Sequence, residues 1–432
     1  MKTHIQYGSR HLEIEVPDNT TVYKSSYPKA PSQAKNIILE TLRNPLGSQP
    51  LESILKKRRP GDVFVVVSDI TRPIPYFEFL RETLLDIEAA GVARENILIL
   101  IATGMHRPST ASERQRMFGD EICTKYRIID HRADDESGFF DLGCKSWAGN
   151  DVILNRHFIE AGCRIVTGLV EPHFMAGFSG GRKAVCPGLS SLGTIHKFHG
   201  YEFLANPLAR SGNLEGNPCH QEAVSIARAA GVDFTLNVVL DQSRHVVRAF
   251  AGGLEAAHDE ACRFVLEHAC PHVLDEHDIV LTGCGGAPLD ATFYQCVKGM
   301  VSCLPAVKEN GTIISVGSCS EGIGSEEYKQ LMFRYSDRWK EFLEDIRTSS
   351  EVIKDQWQLQ MQARALNKVG LKNIYFITDG LDLATAGKLS VNIPHVASGN
   401  VRETVQSLLD ELLQQFETLA VIPEGPYCSP IS

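Results

Sequence analysis

The chain has no dense Lys/Arg block, no C-x-x-C pair, no apolar run long enough to cross a bilayer and no apolar leader core. Each absence removes a class of protein. With 43 Lys+Arg against 53 Asp+Glu, the formal net charge is -10, and a nucleic-acid surface needs clustered cations to neutralise phosphates. The twelve cysteines are scattered from Cys123 to Cys428, the distribution of reduced, structural thiols and not of a disulfide framework or a Cys-based zinc site. Cys284 and Cys319 follow predicted strands beside glycines, and packing is the role assigned to them. The most apolar runs, "VFVVV" and "ILILIATG", read as buried strands. The opening "MKTHIQYGSRHLEIEVPDNT" alternates charged and apolar residues, so a cytoplasmic location is expected.

Two nucleotide signatures are also missing. In "GFSGGRKA", Arg182 separates Gly181 from Lys183 and Ala184 follows, which breaks the phosphate-loop pattern G-x-x-x-x-G-K-[ST]. In "GCGGAP", Pro288 replaces the last glycine of G-x-G-x-x-G. No internal repeat or low-complexity segment is present.

What is present is an ordinary globular composition, 43% hydrophobic and 22% charged over 432 residues, enough for two or three domains at about 150 residues each. Short apolar runs alternate with amphipathic ones, the pattern of α/β units on a largely parallel sheet. Strands are predicted at "DVFVVVSDI", "ENILILIATG", "YRIIDH", "CRIVTGLV", "DFTLNVVLD", "DIVLTGCGG", "GTIISVG" and "NIYFIT", and helices over Tyr76–Ala90, Cys219–Ala230, Leu254–Ala269 and Ala291–Glu309. The expected division is a first α/β domain over residues 1–272 and a second over 273–400. A C-terminal helix and tail, 401–432, could return to the first domain, which the sequence leaves open.

Open α/β sheets bind ligands beyond the carboxyl ends of their strands. There "SDITRPIP" brings Asp69 and Arg72, "ATGMHRP" brings Gly104 and His106, and "EPHFMAGFSGGRK" brings Glu171, His173 and Lys183. The second unit supplies "FYQCVKGM", in which Tyr294 and Lys298 share a helical face and Gln295 neighbours Lys298. A cleft between the units would collect both sets.

Arg72, flanked by Thr71 and Pro73, can grip a carboxylate or phosphate, with Asp69 orienting it; a structural Asp–Arg pair is the alternative. Lys183, among glycines, is suited to covalent attachment, against a solvated surface lysine. His173 with His196 and His199 of "TIHKFHG" would make an N-rich site suited to zinc or nickel. His4, His11, His157, His220 and the group His268, His272 and His277 carry no assigned role.

Taken together, "SDITRPIP", "ATGMHRP", "PHFMAGFSGGRKAVCPG", "TIHKFHG" and "YQCVKG", in this order from Ser68 to Gly299, resemble the nickel-dependent lactate racemase family. The resemblance implies a nickel-pincer nucleotide, pyridinium-3-thioamide-5-thiocarboxylic acid mononucleotide, attached to Lys183, with His199 as protein ligand to nickel and His196 as its fallback. It also implies His106 and His173 as paired acid/base residues and Arg72 and Lys298 as grips for the substrate carboxylate. By the same resemblance Asp69, Tyr294 and Gln295 look like supporting residues, and Trp357 of "KDQWQ" is expected to line the cofactor site. The expected activity is interconversion of D- and L-lactate, or of a similar 2-hydroxy acid, by hydride transfer through a 2-oxo acid. Alternatives are an epimerase of a larger 2-hydroxy acid or sugar acid, a His-ligated zinc hydrolase, and a noncatalytic binder of phosphorylated ligands. The expected partners are a small 2-hydroxy acid and cofactor-maturation proteins, with neither nucleic acid nor membrane.

Overall fold

A computed structural model describes residues 1–59, 61–72, 74–349, 351–396 and 400–432. The chain opens with an antiparallel hairpin, β1 (Lys2–Tyr7) and β2 (Arg10–Glu15), followed by the short β3 (Thr21–Val22). The first large sheet then takes β4 (Val63–Ser68), β5 (Ile97–Ala102) and β6 (Arg127–Asp130). A side hairpin, β7 (Phe139–Lys145) and β8 (Asp151–Asn155), precedes β9 (Cys163–Leu169) and the two-residue strands β10 (Pro172–His173) and β11 (Gly177–Phe178). The sheet is completed by β12 (Phe234–Leu240) and β13 (Val246–Gly252). Its order is β13-β12-β9-β4-β5-β6, antiparallel only at the β12–β13 pair.

The central strands are apolar throughout because both faces are covered, as parallel sheets require. On β4 and β5, Val63, Val65, Val67, Ile97, Ile99 and Ile101 enter one core with Phe79, Leu80 and Leu84 of helix Tyr76–Ala89. The alternate residues Phe64, Val66, Leu98 and Leu100 enter the core on the other face. This is the two-residue period of a strand acting on an unbroken apolar run.

The second sheet contains β14 (His277–Gly283), β15 (Val307–Val316), β16 (Ile374–Ile377) and β17 (Leu419–Ile422), in the order β16-β15-β14-β17-β3, all parallel. One open question is answered here and two expectations need correction. Strand β17 pairs with β14, and helix Val401–Leu412 buries Val401, Val405 and Leu409 with Ile5, Ile14 and Leu281. Helix and strand thus stay with the second sheet, and only the segment beyond them reaches the first unit, where Ser429 N–H donates to the Ala269 carbonyl at 2.9 Å. The chain's first residues also belong to this second sheet through β3 and the packing of β1 and β2, so 1–272 is not one spatial unit. Finally, the helix expected over Ala291–Glu309 runs only over Phe293–Ser302. A 3-10 turn containing Pro305 follows it, and Val307 already begins β15, as the missing proline N–H dictates.

Candidate active site

Strands β9, β4 and β5 are adjacent and parallel, so their carboxyl ends open on one edge of the sheet. Helix Phe293–Ser302 and the start of helix Gln356–Val369 face that edge from the second unit. The cleft between them encloses about 1140 Å³ of empty space, its open mouth included, and is lined by Asp69, Arg72, His106, His173, Lys183, His199, Tyr294, Gln295, Lys298 and Trp357. All ten candidate residues therefore meet in one place. Pro73, part of the loop reading at Arg72, lies outside the described residues.

The loop after β5 presents His106, whose side chain is half exposed, with Nδ1 2.5 Å from Asp69 Oδ2. The other carboxylate oxygen of Asp69 accepts from Thr71 Oγ1 at 2.6 Å. Burial alone would raise the Asp69 pKa, but the hydrogen bond and charge of His106, with Thr71 and Arg72, bring it below the ordinary carboxylate value. Asp69 thus orients His106 and not Arg72, which corrects the sequence reading. With Nδ1–H given to the carboxylate, the Nε2 lone pair of His106 has no protein partner among the described residues.

His173 is held differently. Its buried ring accepts at Nδ1 from the backbone N–H groups of Met175 (3.3 Å) and Ala176 (3.2 Å), and Nε2 lies 3.3 Å from Lys183 Nζ. That pattern places the proton of the neutral ring on Nε2. Burial, then Lys183, Arg72 and Lys298, hold its pKa well below the usual imidazole value.

Lys183 sits in a 3-10 turn, Gly181–Ala184, at the base of the cleft. Burial first, then the charges of Arg72 and Arg182, lower its pKa to about 7, so its amine is substantially neutral and nucleophilic near neutral pH. Close approach explains the glycines around it. A Cβ on Gly168 would stand 2.8 Å from Gly180 Cα, and one on Gly181 (φ +50°) would stand 2.5 Å from the His258 ring. Asn237 Oδ1 accepts from Gly181 N–H at 2.9 Å, and the fully buried Arg182 donates to the carbonyls of Ala176 (2.9 Å) and Phe178 (3.1 Å). The sequence reading missed Asn237 and Arg182 as clamps of this turn; a buried polar residue inside a strand was the available signal for the first.

His199 closes helix Leu192–Phe198. Its Nδ1–H donates to the Ile195 carbonyl at 2.9 Å, its ring lies 4.5 Å from that of Trp357 at 33°, and burial pushes its pKa down to about 3. A neutral imidazole with Nδ1–H fixed by a carbonyl presents Nε2 as a metal ligand. His196, one turn earlier, does not line the cleft, so the two-imidazole reading of "TIHKFHG" is corrected to one. No group of three His, Cys, Asp or Glu side chains among the described residues is arranged to hold a metal, whereas a catalytic zinc takes three protein ligands; the zinc hydrolase alternative has no such set to stand on.

From the second unit, Trp357 Nε1–H donates to Tyr294 Oη at 2.8 Å and Gln358 donates to the Tyr294 carbonyl. Gln358 was another residue the sequence reading passed over. Gln295 Oε1 is buried without a partner, and burial and the Arg72 charge lower the Lys298 pKa to about 7. An orphaned amide oxygen beside two cations and two histidines suits a small, anionic, hydroxylated ligand.

The model of the lactate racemase N-terminal domain matches residues 7–212 and that of the lactate racemase C-terminal domain matches residues 274–427. A lactate racemase of Thermoanaerobacterium thermosaccharolyticum is 35% identical over 406 residues, covering 90% of this chain and 94% of that protein. One from Lactiplantibacillus plantarum is 34% identical over 435 residues, covering 98% and 97%. The chain belongs to the lactate racemase family. Its enzyme class is accordingly an isomerase, a racemase. The solved lactate racemase apoprotein from T. thermosaccharolyticum superposes with a TM-score of 0.90 at 30% identity, each chain covered in full, and confirms the two-domain α/β fold. A Thermotoga maritima protein at 15% identity and TM-score 0.67 shares the fold alone. Among the described residues no helix is long and apolar enough to cross a membrane.

Proposed function

We propose that this lactate racemase family member interconverts the two hands of lactate, or of a similarly small 2-hydroxy acid, with a nickel-pincer nucleotide carried on Lys183. The observation that carries the reading is the cleft itself: a depressed lysine amine, an imidazole with a free Nε2 and two further histidines within one glycine-lined space. The residues fit the group. Lys183 would hold it covalently, His199 Nε2 would ligate its nickel, Trp357 would line it, and the close-packed glycines leave it room.

When bound, the cofactor supplies an electron-poor pyridinium that takes up and returns the α-hydrogen as hydride. The chain's own residues do the rest. Arg72 and Lys298 hold the substrate carboxylate, which fixes the α-carbon while its configuration changes. Removing the α-hydrogen as a proton would leave a carbanion beside a carboxylate; loss of the hydroxyl proton together with hydride gives a planar 2-oxo acid that can be attacked from either face. His106 takes the hydroxyl proton at Nε2, with Asp69 stabilising the imidazolium. For the opposite hand the same work falls to His173, which must first present Nε2 unprotonated. Its Nδ1 contacts, at 3.2 and 3.3 Å, are long enough to release. The two rings are therefore unequal bases.

The supporting proteins are those that build and insert the cofactor, and the expected setting is the cytoplasm. Peptide mapping of protein matured in its own host tests the reading: a nucleotide-sized adduct on Lys183 together with bound nickel is expected. Fully active enzyme with unmodified Lys183 would remove the covalent cofactor.

A further inference from the structure

A smaller hollow of about 310 Å³ adjoins the main cleft, sharing Arg72, His173, Phe174 and Lys298 with it and adding Glu171 and Tyr427. Glu171 immediately precedes β10, two residues before His173, and both side chains line the hollow. Its backbone is fixed from both ends by Ser179: Glu171 N–H donates to Ser179 Oγ and Ser179 N–H donates to the Glu171 carbonyl, each at 3.0 Å. The carboxylate itself has no hydrogen-bond or ion-pair partner among the described residues.

On one side Glu171 also lines a second hollow with Asp241, Arg244 and Glu424; on the side of the main cleft the charges it meets are cationic. Arg72 comes from the loop after β4 and Lys298 from helix Phe293–Ser302, while Lys183, from the turn after β11, acts on Lys298 from the main cleft; Tyr427 arrives from the C-terminal segment with Arg244 stacked 4.1 Å over its ring. Among the described residues lining the hollow, Glu171 is the sole carboxylate. Burial and the charges of Arg72 and Lys183 work against the Lys298 ammonium, and Glu171 works for it.

We propose that Glu171 is a positioning residue of the carboxylate grip: placed in the same hollow as Arg72 and Lys298, it is the counterion that keeps the Lys298 ammonium charged and sets the pH range over which the grip holds substrate. The proposal rests on the reading of Arg72 and Lys298 as that grip. Because Glu171 also repels a substrate carboxylate, its removal has opposite effects at the two ends of the pH scale. Where Lys298 is charged in either case, loss of the repulsion leaves binding unchanged or tighter. Above that range Lys298 loses its proton earlier and binding weakens.

The test is KM and kcat of cofactor-loaded enzyme for D- and L-lactate from about pH 5.5 to about pH 9. In Glu171→Gln the alkaline rise in KM is expected about one pH unit lower than in the parent, with kcat at low pH within about threefold. Glu171→Asp, which keeps the charge, retains the parent profile. Placing Glu171→Gln on Lys298→Arg abolishes the shift, since a guanidinium stays charged throughout. Superimposable profiles for Glu171→Gln and parent, or a shift that persists with Lys298→Arg, would overturn the proposal. Normal KM in Lys298→Met would instead sink the grip itself, and the proposal with it.

Discussion

His106 Nδ1 lies 2.5 Å from the Asp69 carboxylate, whereas His173 Nδ1 is met by two backbone N–H groups. One ring is backed by a negative charge and the other is not, so the pair should respond unequally to substitution. Asp69→Asn is expected to slow single-turnover formation of the 2-oxo acid from the hand served by His106 by about 10² to 10⁴-fold. The hand served by His173 should be affected far less. Rapid-quench measurement with each enantiomer checks this; equal losses from both hands would show that Asp69 acts on the site as a whole.

The lowered pKa values of Lys183 and Lys298, each about 7, also have a consequence for folding. Between about pH 7 and pH 10.5 the unfolded chain binds more protons at these two positions than the folded chain, so apoprotein stability rises with pH across that window. Their lost contribution is largest below about pH 7, where both are charged in a buried site. Lys183→Met should therefore raise the apoprotein melting temperature at neutral pH and flatten this rise. Thermal melts of parent and variant at several pH values decide it, and a parent stability that falls from pH 7 to pH 9 would contradict the assignment.

The sheet was legible because its central strands are unbroken apolar runs, and the site because its residues follow those strands directly. Strands β1, β2, β7 and β13 escaped notice: Lys2–Tyr7 and Phe139–Lys145 mix exposed polar and apolar residues in short hairpins, where local pattern is weak. The joining of β3 and β17 across some 400 residues of chain is a purely tertiary event with no local trace. Asp69 was assigned to the wrong partner because sequence proximity to Arg72 outweighed a contact that only the neighbouring strand β5 creates. Conversely, Leu254–Ala269 was read to the residue, since its apolar period and flanking Gly253 agree.

Close packing beneath Lys183 gives a further prediction. Gly168→Ala would place a methyl 2.8 Å from Gly180 Cα and 3.2 Å from Gly181 N, a backbone clash that must shift the cofactor turn at a cost of about 1–3 kcal/mol. Cofactor occupancy, read by intact mass after maturation, should fall more than the melting temperature accounts for. Parent-like occupancy would show that the turn tolerates displacement.

Neutralising the grip is expected to separate binding from folding. Arg72→Gln should raise KM for lactate at least tenfold, about 1.4 kcal/mol of binding, with little change in thermal stability, because Arg72 makes no side-chain ion pair among the described residues. Parallel loss of activity and stability would make Arg72 structural.

The most direct test of the account follows the α-hydrogen. Lactate deuterated at the α-carbon, racemised in ordinary water, is expected to give product of the opposite hand with its deuterium largely retained. Histidine-bound protons exchange with solvent, while a hydride returned to the same carbon does not. Product analysed by mass spectrometry after partial conversion gives the answer. Product of inverted hand carrying solvent hydrogen at the α-carbon would contradict hydride transfer and point instead to abstraction of the α-proton by His106 and His173, through a carbanion at the substrate α-carbon.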